Sequence, residues 1–210
     1  MSARTGGHQN VRARIALLTR EIHDALHHDA VLGRLTAPDL TPQCYRTALA
    51  VLQKFYHAIE GERRRADRWP DLSLQSLCAA LDEDLGPHVG TAPALVFDSE
   101  DALLGGLYVA HGASFGRASF RANIMARLPQ VSQRFIGQRI EKGVWQRLTG
   151  LMEDCGSNDQ AVERIGQGAE MSFAHVAVLS SQSRTHFPVS GPPSCGHPMI
   201  DPPGASRPSE

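Results

Sequence analysis

Apolar side chains return every three or four residues through most of the chain, the periodicity of amphipathic helices. From Arg12 to Ala30 the positions Ile15, Leu18, Thr19, Ile22, His23, Leu26 and Ala30 share one face, with Thr19 and His23 its only polar members. The pattern predicts a first helix with His23 turned inward. Thr41 as N-cap, Pro42 as first helical residue and a Leu40/Tyr45 staple open a second helix. Its stripe is Tyr45, Leu49, Leu52, Phe55 and Ile59, followed by a mixed-charge run from Glu62 to Arg68 that reads as a solvated end or loop. Ser73 to Leu85 predicts a shorter helix, stopped by Gly86 and Pro87. Short helices are expected over Ser132–Ile140 and Val144–Glu153, and a long one capped by Asn158 or Asp159 with Val162, Ile165, Ala169, Phe173, Val176 and Leu179 inward.

One stretch breaks the ordinary pattern. Leu103–Leu128, capped by Asp98 or Ser99, places Leu104, Leu107, His111, Phe115, Ala118, Ala122 and Met125 on a helical face, yet it holds Gly105, Gly106, Gly112 and Gly116. Each interior glycine costs about 1 kcal/mol relative to alanine, so something must offset it. Gly112 and Gly116 lie one turn apart and bare the backbone on one side. Either another helix packs there or a flat ligand does.

No segment alternates as a strand would, so the fold is expected to be all-α. The organisation read from the chain is a loose lead over residues 1–10, one helical domain over 11–182, and a disordered Pro/Gly/Ser-rich tail over 183–210. A formal charge of −1 leaves no electrostatic footprint for nucleic acid or an anionic membrane. Four dispersed cysteines, no spanning segment and no signal core point to the cytoplasm. Cys195 with His197 lacks the proline of a heme-regulatory motif. Nucleotide loops, GxSxG, HExxH and the carboxylate–ExxH pairs of di-iron bundles are absent. His23, with His27 one turn on, is either a hydrogen-bonded core residue or a metal ligand.

The segment LLTREIH, with Arg20 three residues before His23, resembles the proximal helix of the heme oxygenase family. LYVAHGASFGRAS, from Leu107 to Ser119, resembles its distal helix. Phe135, Gly137 and Trp145 fall where bacterial members show an FF, G and W run, and Ala169 with Phe173 matches the AxxxF of the last helix. The likeness spans residues 11–180.

The resemblance implies a single-domain fold in which heme is sandwiched between a proximal and a kinked distal helix. His23 would ligate the iron and Arg20 would pair with a propionate. Gly112 and Gly116 would form the distal floor. Tyr108, Phe115 and Phe173 would line the pocket. Two positions depart from the pattern: Ala113 stands where the family carries an aspartate, leaving Ser114 to hydrogen-bond distally, and Arg117 replaces the second glycine of a pair, where it would point outward, reach a propionate or narrow the cleft. The implied activity is opening of heme to biliverdin with release of CO and ferrous iron. It uses O2 and electrons from an outside ferredoxin or flavin reductase. A bilin-accepting photoreceptor is a further candidate partner. A non-catalytic heme carrier or sensor is the alternative that the two departures motivate.

Overall fold

A computed structural model describes residues 10–88, 93–139 and 142–184, and among these every regular element is helical. The expected lead over 1–10 and tail over 183–210 fall almost wholly outside the described residues, as do Cys195 and His197. None of the described helices is long and apolar enough to cross a membrane.

The predicted first helix is two helices. α1 (Val11–Leu18) and α2 (Arg20–His27) meet at Thr19, whose hydroxyl donates to the Ile15 carbonyl at 2.9 Å while its own N–H reaches the same oxygen at 3.0 Å. A threonine bonding back to the preceding turn bends a helix. The bend moves Leu18 out of the predicted buried stripe, leaving it 55% exposed, and Ala30 lies beyond the helix on the surface. The start of α1 is held by the Glu153 carboxylate, which accepts from the Val11 and Arg12 N–H groups at 3.0 and 3.2 Å.

α3 (Pro42–Ala66) has the expected Thr41 cap, its hydroxyl accepting from Cys44 N–H at 3.2 Å, and buries Leu40 and Tyr45. It runs further than its apolar stripe suggested. Inside the charged run read as solvated, Arg63 is buried and donates to both Glu60 carboxylate oxygens, at 3.0 and 2.7 Å. Glu60 also accepts from the Leu74 N–H at 2.9 Å and the Ser73 hydroxyl at 3.0 Å, so this polar cluster ties α3 to the start of α4 (Gln75–Leu85).

α5 (Glu100–Arg127) is one uninterrupted helix, capped by Ser99, which accepts from Ala102 N–H at 3.2 Å. Its first half, through Ala110, is buried on nearly every side. In its second half the buried positions are Ser114, Arg117 and Ile124. The predicted stripe of Phe115, Ala118, Ala122 and Met125 faces outward or into a cavity. The stripe is one register off because apolarity marks burial only where another element covers the face, and among the described residues that side is covered only in part, by Trp145 against Phe115.

α6 (Arg134–Gly137) is a single turn, shorter than the expected Ser132–Ile140 helix, its start held by the Asp84 carboxylate accepting from the Arg134 and Phe135 N–H groups at 2.9 Å each. α7 (Lys142–Asp154) follows, then α8 (Asp159–Arg184), capped by Asn158, which accepts from Ala161 N–H at 3.2 Å. The most extensive helix–helix interface is α5 on α8, with α3 packing on both. The core of Leu49, Phe55, Ile59, Leu103, Leu107, Ile165 and Leu179 lies among these three.

Candidate functional site

Where α5 emerges from the α8 interface, it leaves a cavity between its second half and the α1–α2 pair. The volume is about 450 Å³, within the range usual for small-molecule sites. Arg20, His23 and His27 stand on one side and Tyr108, Gly112, Phe115 and Gly116 on the other. Tyr56 and Phe135, both fully buried, close the deep end, and Phe173 of α8 and Trp145 of α7 also line it. No aspartate or glutamate is among the lining residues.

His23 faces this cavity, not packed core, so its side chain remains 52% exposed. Its ring meets the ring of Phe173 edge-on at 5.9 Å and that of His27 at 4.6 Å. Nδ1 lies 3.3 Å from an Asp24 carboxylate oxygen. An ionised carboxylate can only accept, so in the neutral imidazole this contact favours the tautomer with the proton on Nδ1 and the lone pair a metal needs on Nε2. Among the described residues no group of three or more His, Cys, Asp or Glu side chains converges to hold a metal ion by itself. Any iron bound by His23 would therefore need its other ligands from elsewhere, as a porphyrin provides.

The four glycines of α5 divide into two pairs. A Cβ on Gly105 would collide with the α8 backbone and one on Gly106 with the ring of Phe97, so these two serve packing. Gly112 and Gly116 do not. A Cβ on Gly112 would meet nothing nearer than Trp145 at 3.7 Å, and one on Gly116 nothing nearer than Phe120 at 4.0 Å. Among the described residues no neighbour requires glycine at either position, and both border the cavity.

Arg20 sits at the cavity mouth, largely exposed, with its Nε 3.9 Å from Asp24, a contact too solvated to hold it strongly. Tyr108 stacks on Trp145 at 5.5 Å and Phe115 meets the same indole edge-on at 5.1 Å. Ser114 stands apart from the other candidates. On the opposite side of α5 from Gly112 and Gly116, it lines a second, smaller cavity, and the distal hydrogen bonding expected of it has no geometric support. Ala113 takes a place in the large cavity instead. Arg117 is buried and borders both cavities, its guanidinium 4.8 Å above the ring of Phe135.

Sequence reasoning named Leu26, Leu52 and Trp145 without a place in the cavity and passed over Tyr56. Tyr56 lies one position off the α3 stripe and donates its hydroxyl to the Ala110 carbonyl at 3.0 Å. Burial pushes its phenol up to about 12, so it stays protonated and its donor remains fixed. An aromatic one residue off a stripe was the available signal.

A bacterial heme oxygenase shares this architecture. The structure, of the NO- and CO-bound enzyme from Neisseria meningitidis, aligns with a TM-score of 0.62 over 90% of this chain and 99% of that one, at 17% sequence identity. At that identity the likeness shows a common fold. No family model matches the chain, and no curated protein matches it in sequence.

Proposed function

We propose that the chain binds heme between His23 and the Gly112–Gly116 face of α5 and acts as a heme oxygenase. The observation that carries this reading is the second glycine pair: two helix-weakening residues, required by no described neighbour, border a cavity across from a histidine whose Nδ1 faces the Asp24 carboxylate. The shared fold supports it. The donor set fits, since one imidazole and a mostly apolar cleft suit an iron porphyrin, which would bring four nitrogen ligands of its own.

Bound heme would supply the oxygen activation and would itself be the molecule opened, giving biliverdin, CO and ferrous iron. His23 holds the iron, and Asp24 orients its ring through Nδ1. Arg20 pairs with a propionate at the mouth, the geometry its guanidinium favours. Gly112 and Gly116 let main chain approach the ring face. Ala113 places neither acid nor base on that side. Tyr56 and Phe135 exclude water from the deep end. O2 and electrons come from outside, from a ferredoxin or flavin reductase, and a bilin-accepting photoreceptor could consume the product. The cytoplasm would be the compartment.

A second reading is a carrier or sensor that binds heme without turnover. Ala113 in the cavity with Ser114 turned away favours it, because no side-chain hydroxyl or carboxylate from this turn of α5 organises water there. Hemin titration followed by reductant under air separates the two. A saturable Soret shift that gives way to a biliverdin band supports the oxygenase, a Soret band that persists supports the carrier, and an unchanged hemin spectrum removes both.

A further inference from the structure

His23 and His27 lie four residues apart on α2, so both imidazoles leave the same face of the helix. Both line the large cavity, and their ring centres stand 4.6 Å apart. Two imidazoles bound to one ion through bonds of about 2.1 Å, at angles between square and tetrahedral, have ring centres roughly 4.5–5 Å apart. The pair already stands at that spacing, and the broad χ2 torsion of histidine lets the rings turn nitrogens toward one point. Four-residue spacing on a helix is also how paired histidines grip zinc in other proteins.

Asp24 stands beside the pair. Its carboxylate oxygen is 3.3 Å from His23 Nδ1, the contact that orients metal-ligating histidines and favours Nε2 as the coordinating atom. His27 ends α2, where the negative end of the helix dipole favours a cation nearby. Arg20, the one arginine or lysine of α2, has its Nε 3.9 Å from Asp24, which offsets part of its charge. Two protein ligands do not close a coordination sphere. The cavity of about 450 Å³ leaves room for waters in the other positions, as in open metal sites. Imidazole donors with no thiolate suit borderline first-row ions such as Zn2+, Ni2+ and Fe2+ over Mg2+ and Ca2+.

We propose that in the hemin-free protein His23 and His27 form a clip for a divalent first-row transition ion, with Asp24 orienting His23 and water completing the ligand set. The ion and hemin exclude each other, because both take His23. This exclusion rests on the reading of His23 as the axial ligand, whereas the clip itself does not.

The experiment titrates Zn2+ into the full chain, purified without an affinity tag and free of hemin, by isothermal titration calorimetry. Side-chain nitrogen resonances of the histidines locate the ion, since the chain has ten of them and a second pair, His57 and His88, stacks at 4.9 Å. One equivalent of Zn2+ should shift the resonances of His23 and His27 and leave those of His57 and His88 in place. His23→Gln and His27→Gln should each weaken Zn2+ binding at least tenfold. Both positions are exposed, so the variants should fold as the wild type does by circular dichroism. His28→Gln, outside the cavity lining, should bind Zn2+ as the wild type does. Equal Zn2+ affinity in wild type and His27→Gln would overturn the clip, as would a loss as large in His28→Gln or shifts at His57 and His88 instead. In a second arm, hemin is titrated with and without saturating Zn2+. The wild type should bind hemin at least tenfold more weakly with Zn2+, and His27→Gln, which keeps His23, should be indifferent to it. A clip upheld by the first arm with hemin affinity unaffected by Zn2+ would overturn the exclusion. A hemin spectrum unchanged by the Zn2+-free protein would remove the heme reading, and the calorimetry would still decide the clip.

Discussion

The carbonyl oxygen of Ile165 lies 2.0 Å from where a Cβ on Gly105 would stand. The reciprocal contact is as close, with the Ala102 carbonyl oxygen 1.9 Å from a Cβ on Gly168. α5 and α8 therefore meet backbone to backbone, and their separation is set by the absence of two side-chain carbons. Because the obstructing atoms are main chain, they cannot rotate away. Gly105→Ala and Gly168→Ala are each expected to destabilise by about 3 kcal/mol or more, the upper end of overpacking costs. Thermal unfolding would show it as a midpoint lower by on the order of 10 °C. A midpoint unchanged in both variants would mean that the helices are not in backbone contact.

Seven residues along the same helix the sign reverses. Gly112→Ala and Gly116→Ala place a methyl where no atom is closer than 3.7 Å, and each removes a flexible residue from a helix interior. Each should raise the stability of the hemin-free protein by about 0.4–1 kcal/mol. Larger side chains should separate folding from binding: Gly116→Leu is expected to fold with wild-type helicity by circular dichroism and to bind hemin at least tenfold more weakly. Wild-type hemin affinity in Gly116→Leu would show that the ring does not lie against this face.

How far the sequence disclosed these roles depends on what each residue answers to. Helices and caps were readable because capping and periodicity are local: Thr41, Ser99 and Asn158 all accept from the expected N–H groups. The division of α5 into a packing half and a cavity half was not readable, since Gly105 and Gly112 look alike until α8 is placed against one and not the other. The break at Thr19 was hidden for the opposite reason: the helical pattern runs through it unchanged while a side-chain hydroxyl bends the backbone. Arg63 looked solvated inside a charged run, and only the distant Ser73–Leu74 turn makes a buried Glu60–Arg63 pair tenable. His23 was expected on a buried face and instead lines the cavity half exposed, beside Asp24, His27 and Phe173, because the helix it shares with Arg20 has no covering neighbour among the described residues on that side. Ser114 was misjudged, because neighbours in sequence on a helix point about 100° apart and adjacency to Ala113 does not put it in the same cavity.

His23→Ala is expected to leave the fold intact, since the imidazole faces the cavity and supports no core contact beyond the edges of Phe173 and His27. Its unfolding free energy should stay within about 0.5 kcal/mol of wild type, as for exposed positions generally. Hemin should then bind without the spectrum of an imidazole-ligated iron, and free imidazole added to the variant should restore that spectrum. Asp24→Asn leaves the ligand but replaces the charged acceptor at Nδ1, so the ferrous iron–histidine stretch should move to lower frequency in resonance Raman spectra. An unaltered spectrum in His23→Ala would assign the axial position to another residue, and His27 is the nearest to test next.

Acid should weaken the fold in two separable stages. His175 is buried and its Nε2 has no partner among the described residues, and burial alone lowers its pKa below the ordinary 6.5. The unfolded chain therefore takes up that proton first as pH falls past 6.5, and stability is lost from there down to the lower folded value. Glu60 titrates in a second window. Burial pushes its carboxyl up, but hydrogen bonds from Arg63, the Leu74 N–H and Ser73 outweigh that and hold it below the ordinary 4.5. Its contribution is complete above 4.5 and disappears as pH drops through the depressed folded value. Unfolding midpoints measured from pH 8 to 3 should thus fall gently below pH 6.5 and again below 4.5. In His175→Leu the first decline should become shallower while the second stays, because the leucine takes up no proton and leaves the α3–α4 cluster untouched; the remainder belongs to His88, whose pKa burial and the neighbouring His57 also lower. An undiminished first decline in that variant would show that His175 does not contribute to it.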